Sequence, residues 1–276
     1  MMEIIIEDDF DLKKNADSGQ CFRWEEMGEN TYRIVHLEYC VTVKKISENT
    51  FQLSCDKLEF DNVWRNYFDL DENYRSIRHR INKSDQYLYN ACKAGKGIRI
   101  LRQDPWETLI SFIISQNRNI PAIKRSIALL CEATGKIKTD YNNEQYYQFP
   151  TPDDILSLSD DSLNDCKLGY RCPYVRAAAA AVNQGSIRLD ELLSENETDT
   201  IKALTAIHGV GPKVANCVSL FGLHHIDAFP IDVWIRRVLD QEYPDGYPMN
   251  EYSPYNGIYQ QYMFYYSRML SANGTL

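Results

Sequence analysis

Two apolar-periodic runs broken by the hexapeptide HGVGPK constrain this chain more than any other feature. Around LTAIHGVGPKVANCVSLFGLHHIDAFPIDVWIRRVL, residues 204–239, IKALTAI, residues 201–207, leads into the break and VANCVSLFGL leads out of it. Gly209 and Gly211 supply the backbone freedom of a tight turn, and Pro212 suits the first position of a new helix. A hairpin of two helices is expected over about residues 201–222. Such a turn leaves free amides at a helix N-terminus, which bind phosphate without any basic side chain.

That property matters because the chain is acidic. A formal charge of −9 and a pI near 5.1 argue against coating nucleic acid by bulk electrostatics, while leaving room for a local patch or a ring of backbone amides. With 276 residues, 44% of them hydrophobic, the chain can bury a sizeable core in one large or two modest domains. The start, MMEIIIEDDF, has no basic segment and no apolar stretch long enough for export, and no run approaches the roughly 20 residues of a membrane span. The expected location is the cytosol, at the nucleoid in a bacterium, with no membrane partner. Cysteines at 21, 40, 55, 92, 131, 166, 172 and 217 form no CxxC pair. They signal no zinc site, no disulfide framework and no iron–sulfur cluster, and most read as buried thiols.

Along the chain, CFRWEE, TYRIVHLEYCVTVKKI and TFQLSC, separated by MGEN and SEN, read as a small antiparallel sheet over residues 20–56. From about residue 60 the period becomes helical: LEFDNVWRNYF, NYRSIRHRI, DQYLYNACKAG, PWETLISFIISQN and IPAIKRSIALLCEATG are amphipathic, and PDDILSLS, PYVRAAAAAVNQG and LDELLSEN continue the pattern. The fold class is α+β, a β-rich N-terminal lobe with helices over residues 1–98 and a mainly helical body over 99–276. The five alanines at 177–181 mark close helix packing, and the acidic residues at 152–165 and 190–199 a solvated face.

Lys213 is the residue that asks for an explanation. Most lysines in a first helical turn are solvated surface groups. A cation is nevertheless poorly placed at the positive end of a helix dipole, so the position is costly unless the amine is used, and a positioned amine is a nucleophile. Asp232, nineteen residues on in FPIDVWIRRVL, is a good N-cap for the next helix, and a capped carboxylate is also one held rigidly in place. Lys213, Cys217 and Phe221 share one helical face at i, i+4 and i+8, with Val214 and Val218 on another. That first face either lines a pocket with an amine at its mouth or is simply core.

Beyond the hairpin, SGQCFRW at 18–24, QDPWETLISFIISQNRNI at 103–120, LGYR at 168–171 and PYNGIYQQYMF at 254–264 complete five separated segments in order. In these the chain resembles the helix–hairpin–helix DNA glycosylases, and more narrowly the 8-oxoguanine DNA glycosylase/AP lyases. The resemblance implies a TBP-like antiparallel β lobe and a two-lobed helical body, acting as a monomer on duplex DNA in base excision repair. It implies that Lys213 attacks C1′ of a flipped nucleotide and that Asp232 stabilises the cationic sugar. It assigns the carbonyl of Gly19 to the N7 hydrogen that 8-oxoguanine has and guanine lacks, Gln260 to the Watson–Crick edge, and Cys217 and Phe264 to a sandwich on the base. Phe221 extends the pocket floor. Asn117 would take up the space the base leaves, Tyr170 would wedge beside the estranged partner, and Arg171 would contact it, with Gly209 and Gly211 at the phosphate. Read singly, Asn117 is a helix C-cap, Gly19 a turn glycine, and Tyr170, Arg171 and Gln260 surface residues.

Two departures stand out. Where eukaryotic members carry a second arginine reading the opposite cytosine, this chain has Ala122, and where they carry a histidine two residues after the aspartate it has Trp234, here assigned to the DNA contact. No redox or organic cofactor is implied; the hairpin carbonyls could hold a structural cation. Two other readings stay open: a glycosylase for alkylated or formamidopyrimidine bases, and a non-enzymatic helix–hairpin–helix DNA-binding module.

Overall fold

The computed structural model describes residues 1–272. Strands β1 (Met2–Ile5), β2 (Trp24–Gly28), β3 (Thr31–His36), β4 (Tyr39–Lys45) and β5 (Thr50–Leu53) form one antiparallel sheet in the order β1-β5-β4-β3-β2, with α1 (Leu12–Asp17) between the first two in sequence. TYRIVHLEYCVTVKKI is a tight hairpin that pairs His36 with Tyr39, and Leu37 takes a positive φ of 53° in the turn. Period-two alternation turns Tyr32, Ile34, Val41, Val43, Phe51 and Leu53 inward. Against that face lies a helical stretch of α2 (Lys57–Glu59), a π-turn (Phe60–Trp64) and α3 (Arg65–Tyr67). Its Phe60, Trp64, Tyr67 and Phe68 complete an aromatic core.

The body follows as α4 (Tyr74–Arg78), α5 (Gln86–Ala94), α6 (Pro105–Ser115), α7 (Ile120–Thr134), α8 (Pro152–Ser157), α9 (Asp160–Asp165), α10 (Cys172–Asn183), α11 (Glu197–Thr205), α12 (Pro212–Phe221), α13 (Val233–Glu242), α14 (Met249–Tyr252) and α15 (Asn256–Ala272). Its starts are written in the sequence. Asp104 accepts from Glu107 N at 2.7 Å with Pro105 at the first position of α6, Asn119 caps α7, and Thr151 and Asp154 form a capping box on α8. Helix α6 is the axle of the body: Thr108 through Ser115 are all buried, and it packs against α12, α10 and α7. Ala178 and Ala179 are fully buried where α10 meets its neighbours, the close approach that small side chains allow.

Three features depart from the sequence reading. Residues 2–5 form the edge strand β1, where no strand is expected in so short a run. LDELLSEN gives a single 3-10 turn, Glu191–Ser194, in which Leu192 is buried while Leu193 is exposed. A small hairpin, β6 (Ile137–Thr139) with β7 (Gln145–Tyr147), lies inside the helical body. No described helix is long and apolar enough to cross a membrane.

A buried polar cluster joins sheet and body. The fully buried Arg99 donates from Nη1 to Asp69 O at 2.7 Å and Glu72 O at 3.1 Å, from Nη2 to Asp8 Oδ2 at 3.2 Å, and stacks on Tyr74. A buried guanidinium is tolerable only when its donors are satisfied in this way. The segment after it, through residue 104, carries the chain into α6.

Candidate active site

Lys213 stands in the first turn of α12, whose N-cap is Gly211. Gly209 takes a positive φ of 87°, which favours glycine, whereas Gly211, at φ −92° and ψ 176°, occupies extended backbone that any residue adopts. Only one of the two glycines therefore needs the freedom expected of both. Gly209 O accepts from Gln116 Nε2 at 3.0 Å, pinning the turn to the end of α6. No side chain caps α12, and the amides of Lys213 and Val214 find no acceptor among the described residues.

Asp232 is the N-cap of α13. Its Oδ1 accepts from Trp234 N at 3.0 Å and Ile235 N at 2.9 Å, and Oδ2 makes no hydrogen bond among the described residues. No ion pair joins it to Lys213, so neither charge is used up by the other. Between them lies a cavity of about 60 Å³ lined by Gly19, Phe112, Cys217, Phe221, Gln260 and Phe264 together with Lys213 and Asp232. The structure thus brings together every residue expected at the base pocket. Cys217 and Phe221 are buried with the core and line the cavity as well, so that helical face does both.

Gly19 and Gln260 supply its polar character. The carbonyls on either side of Gly19 are taken: Ser18 O by Gln261 Nε2 at 2.6 Å and Gln20 O by Gln103 Nε2 at 2.8 Å. That of Gly19 accepts nothing among the described residues. Its φ of +77° favours glycine, and a Cβ there would sit 3.2 Å from Phe264 Cε1, a tight contact. Gln260 is buried, not the surface amide its sequence context suggests; its Nε2 donates to Pro230 O at 2.9 Å and its Oε1 has no partner. A buried acceptor left empty is costly. The pocket accordingly presents two acceptors and wants a ligand with two donors.

Phe112 is the residue that sequence reasoning missed. It stacks on Phe221 at 5.5 Å between centroids and 17° between planes, and Lys213 Nζ lies 5.2 Å from its centroid. Within PWETLISFIISQN nothing separates it from its apolar neighbours. Burial pushes the Cys217 thiol above its ordinary range, with the Lys213 charge pulling the other way, so it serves as a neutral, polarizable wall. The cavity is less than half the roughly 150 Å³ that houses a benzene ring. A purine enters only when the half-buried Phe264 or its neighbours move.

The residues expected at the DNA surface are more scattered. Asn117 is exposed at φ +52°, one residue past the C-cap Gln116 of α6. Tyr170 is exposed and stacks edge-on with Tyr174. Arg171 is buried, contrary to its expected surface position: its Nε donates to Gln116 O at 2.9 Å, its Nη1 to Leu168 O at 3.1 Å, and it lies over the Tyr170 ring at 4.2 Å. Carbonyls at a chain turn compete well for a guanidinium. Trp234 is stacked under Arg237 outside the base pocket, at a neighbouring hollow. Ala122 sits in the first turn of α7, its amide capped by Asn119. A larger hollow of about 680 Å³ between β2, β3 and α7 has its inner cations already paired, Arg23 with Glu107, Arg33 with Asp140, and Lys124 with Trp24 O. Volume alone does not locate the chemistry.

Comparison with known proteins agrees with this geometry. Residues 3–109 match the family described as 8-oxoguanine DNA glycosylase, N-terminal domain, and residues 110–244 match the HhH-GPD superfamily base excision DNA repair proteins. The solved structure of Clostridium acetobutylicum 8-oxoguanine glycosylase/lyase with duplex DNA containing cytosine opposite 8-oxoG has a TM-score of 0.89 and 34% identity, covering 98% of this chain and 99% of that one. The chain belongs to the 8-oxoguanine DNA glycosylases of the HhH-GPD superfamily. Another of this family, MBOgg1 bound to a low-affinity DNA ligand, gives a TM-score of 0.91 at 37% identity over 98% of this chain and 96% of that one. The N-glycosylase/DNA lyase of Saccharomyces cerevisiae is 36% identical over 159 residues, 54% of this chain but only 42% of the yeast protein.

Proposed function

We propose that this chain is a bifunctional N-glycosylase and AP lyase that excises 8-oxoguanine from duplex DNA, acting as a monomer, with residues 1–98 as one lobe and 99–276 as the glycosylase body. Lys213 Nζ, as the neutral amine, attacks C1′ of the flipped nucleotide as the glycosidic bond breaks, and the base leaves with the bonding electrons and takes up the proton that the amine gives up. The sugar ring opens to a Schiff base, and loss of a proton from C2′ then eliminates the 3′ phosphate. Asp232, held by two backbone amides, places its free Oδ2 beside the cationic sugar. Phe264 and Cys217 sandwich the base, Phe112 and Phe221 floor the pocket, and the free amides of α12 face a phosphate. Asn117, Tyr170 and Arg171 act on the gap and the estranged base once Arg171 is released from Gln116.

The observation that carries this reading is the pair of empty acceptors, Gly19 O and Gln260 Oε1, in a pocket with an unpaired amine at its mouth. 8-Oxoguanine offers a hydrogen on N7, where guanine offers a lone pair, and N–H donors on its Watson–Crick edge. Adenine-type lesions lack the ring donor on that edge, which disfavours them; a formamidopyrimidine from guanine keeps both. A plain DNA-binding module would leave the amine and both acceptors unused.

Borohydride trapping on a duplex with a single 8-oxoguanine tests the proposal. A covalent adduct on the 8-oxoguanine duplex and none on the undamaged one is the expected result. Trapping equal on both, or on neither, overturns it, and competition with formamidopyrimidine duplexes ranks the two guanine lesions.

A further inference from the structure

Four successive carbonyls run past the mouth of the pocket, and three of them are held by side chains from distant parts of the chain. Asp17 O accepts from Arg268 Nη1 at 2.9 Å, Ser18 O from Gln261 Nε2 at 2.6 Å, and Gln20 O from Gln103 Nε2 at 2.8 Å. Only the carbonyl of Gly19 is left free among the described residues. Two of the three clamps, Gln261 and Arg268, sit on α15, the helix that also carries Gln260 and Phe264. Arg268 in addition lies over the Phe264 ring at 5.4 Å.

We infer that Gln261 is a positioning residue for lesion recognition, setting the Gly19 carbonyl at a fixed spacing from Gln260 through the Ser18 carbonyl. The inference rests on the reading of the pocket given above. Gln260 and Gln261 are neighbours on one helix, so the path from Gln260 Oε1 to Gly19 O runs through a rigid α-helical residue pair and one short, fully buried hydrogen bond. Gln261 itself is 2% exposed and Ser18 1% exposed. Because the Ser18 amide already bonds Asn15 O, and its hydroxyl lies between Asn15 O and Gln20 Nε2, the clamp orients a residue whose other polar groups are satisfied. Its remaining effect is on the direction in which the next carbonyl, that of Gly19, points. A hydrogen bond to a ring N–H weakens steeply once misaligned, and recognition of one hydrogen against one lone pair has no other support. Arg268 performs the same service one residue earlier from the rim, and lies over Phe264, one wall of the pocket.

The test separates recognition from chemistry. Strand cleavage at a preformed abasic site needs Lys213 and DNA binding but no base in the pocket. In Gln261→Leu, the single-turnover rate of 8-oxoguanine excision is expected to fall about tenfold or more relative to cleavage of a preformed abasic duplex, the scale of one buried hydrogen bond. Arg268→Met, at a partly exposed position where folding is not at stake, is expected to lower the same ratio by a smaller factor. An unchanged ratio in both variants overturns the inference, and so does an equal loss of both activities in Gln261→Leu, which marks a purely structural role. If Gln261→Leu does not fold, Arg268→Met decides. Failure of the wild-type chain to excise 8-oxoguanine is a different outcome, which removes the functional reading itself.

Discussion

Lys213 Nζ rests 5.2 Å from the centroid of the Phe112 ring, an arrangement in which a cation is held over a π face with no ion pair among the described residues. The ring anchors the amine at the mouth of the pocket and leaves it free to approach a sugar carbon. Lys213→Gln is expected to bind a lesion duplex as the parent does and to release no base and trap no adduct. Binding by fluorescence anisotropy and borohydride trapping on one duplex check this; a mutant that traps as well as the parent identifies another amine as the nucleophile.

Asp232 combines two functions that an asparagine can split. Asn caps a helix about as well as Asp, so the bonds to Trp234 N and Ile235 N survive in Asp232→Asn while the charge is lost. Base excision should fall by roughly 10² or more, the scale on which an oriented charge contributes. The thermal midpoint should move little. Full excision by the variant would show that the charge is not used and that capping is the role of Asp232.

Gly19→Ala joins two penalties. A left-handed backbone costs about 1–2 kcal/mol for a residue with a Cβ, and the added carbon meets Phe264 Cε1 at 3.2 Å. Stability by urea denaturation is expected to drop by about that amount, and 8-oxoguanine excision far more than cleavage at an abasic site. Retention of full excision would mean that the Gly19 carbonyl does not read the lesion.

Ala122 offers nothing to an opposing base. An arginine with bidentate contacts contributes about 1–3 kcal/mol of discrimination, or roughly 5- to 150-fold. On the proposed reading Arg171 alone contacts the estranged base, and its guanidinium is already bound to Gln116 O and Leu168 O. Excision opposite C, T, G and A is expected to vary less than in relatives with both arginines, and Ala122→Arg should restore part of a preference for C. Four duplexes at one salt concentration measure it; a strong preference for C in the unmodified chain would place the reading elsewhere.

His36 gives a pH signature. Burial against Tyr67, with the Arg23 charge adding to it, lowers its pKa to about 4 from an ordinary value near 6.5. The unfolded chain therefore binds more protons between these values, so stability is intact above about pH 6.5 and is lost as the pH falls toward 4. His36→Phe keeps an aromatic ring there and should flatten that part of the profile. Parallel profiles for the two proteins from pH 7 to pH 4.5 would refute it.

Short-range signals in the sequence determined a good deal. The hairpin of α11 and α12, Pro212 at a first helical position, Asp232 as an N-cap, the capped starts of α6, α7 and α8 and the three runs of the N-terminal sheet depend on periodicity and on side chains within four residues, and these are local. Edge strand β1 was not legible, because a strand of four residues owes its existence to its pairing with β5, nearly fifty positions away.

Tertiary structure alone decided the recognition surface. Ser18 and Gln261 lie 243 positions apart, and their bond leaves Gly19 O as the free acceptor; Gln260 becomes buried with an empty Oε1 only because Pro230 O takes its amide. Phe112 is chosen as the ring under Lys213 by the way α6 packs on α12, and Arg171 turns inward because the end of α6 presents the Gln116 carbonyl to it. Whether a polar group is satisfied or left for a ligand depends on which partners the fold brings within about 3 Å of it. No local pattern in the sequence records those partners, since they come from segments that meet only after the chain has folded.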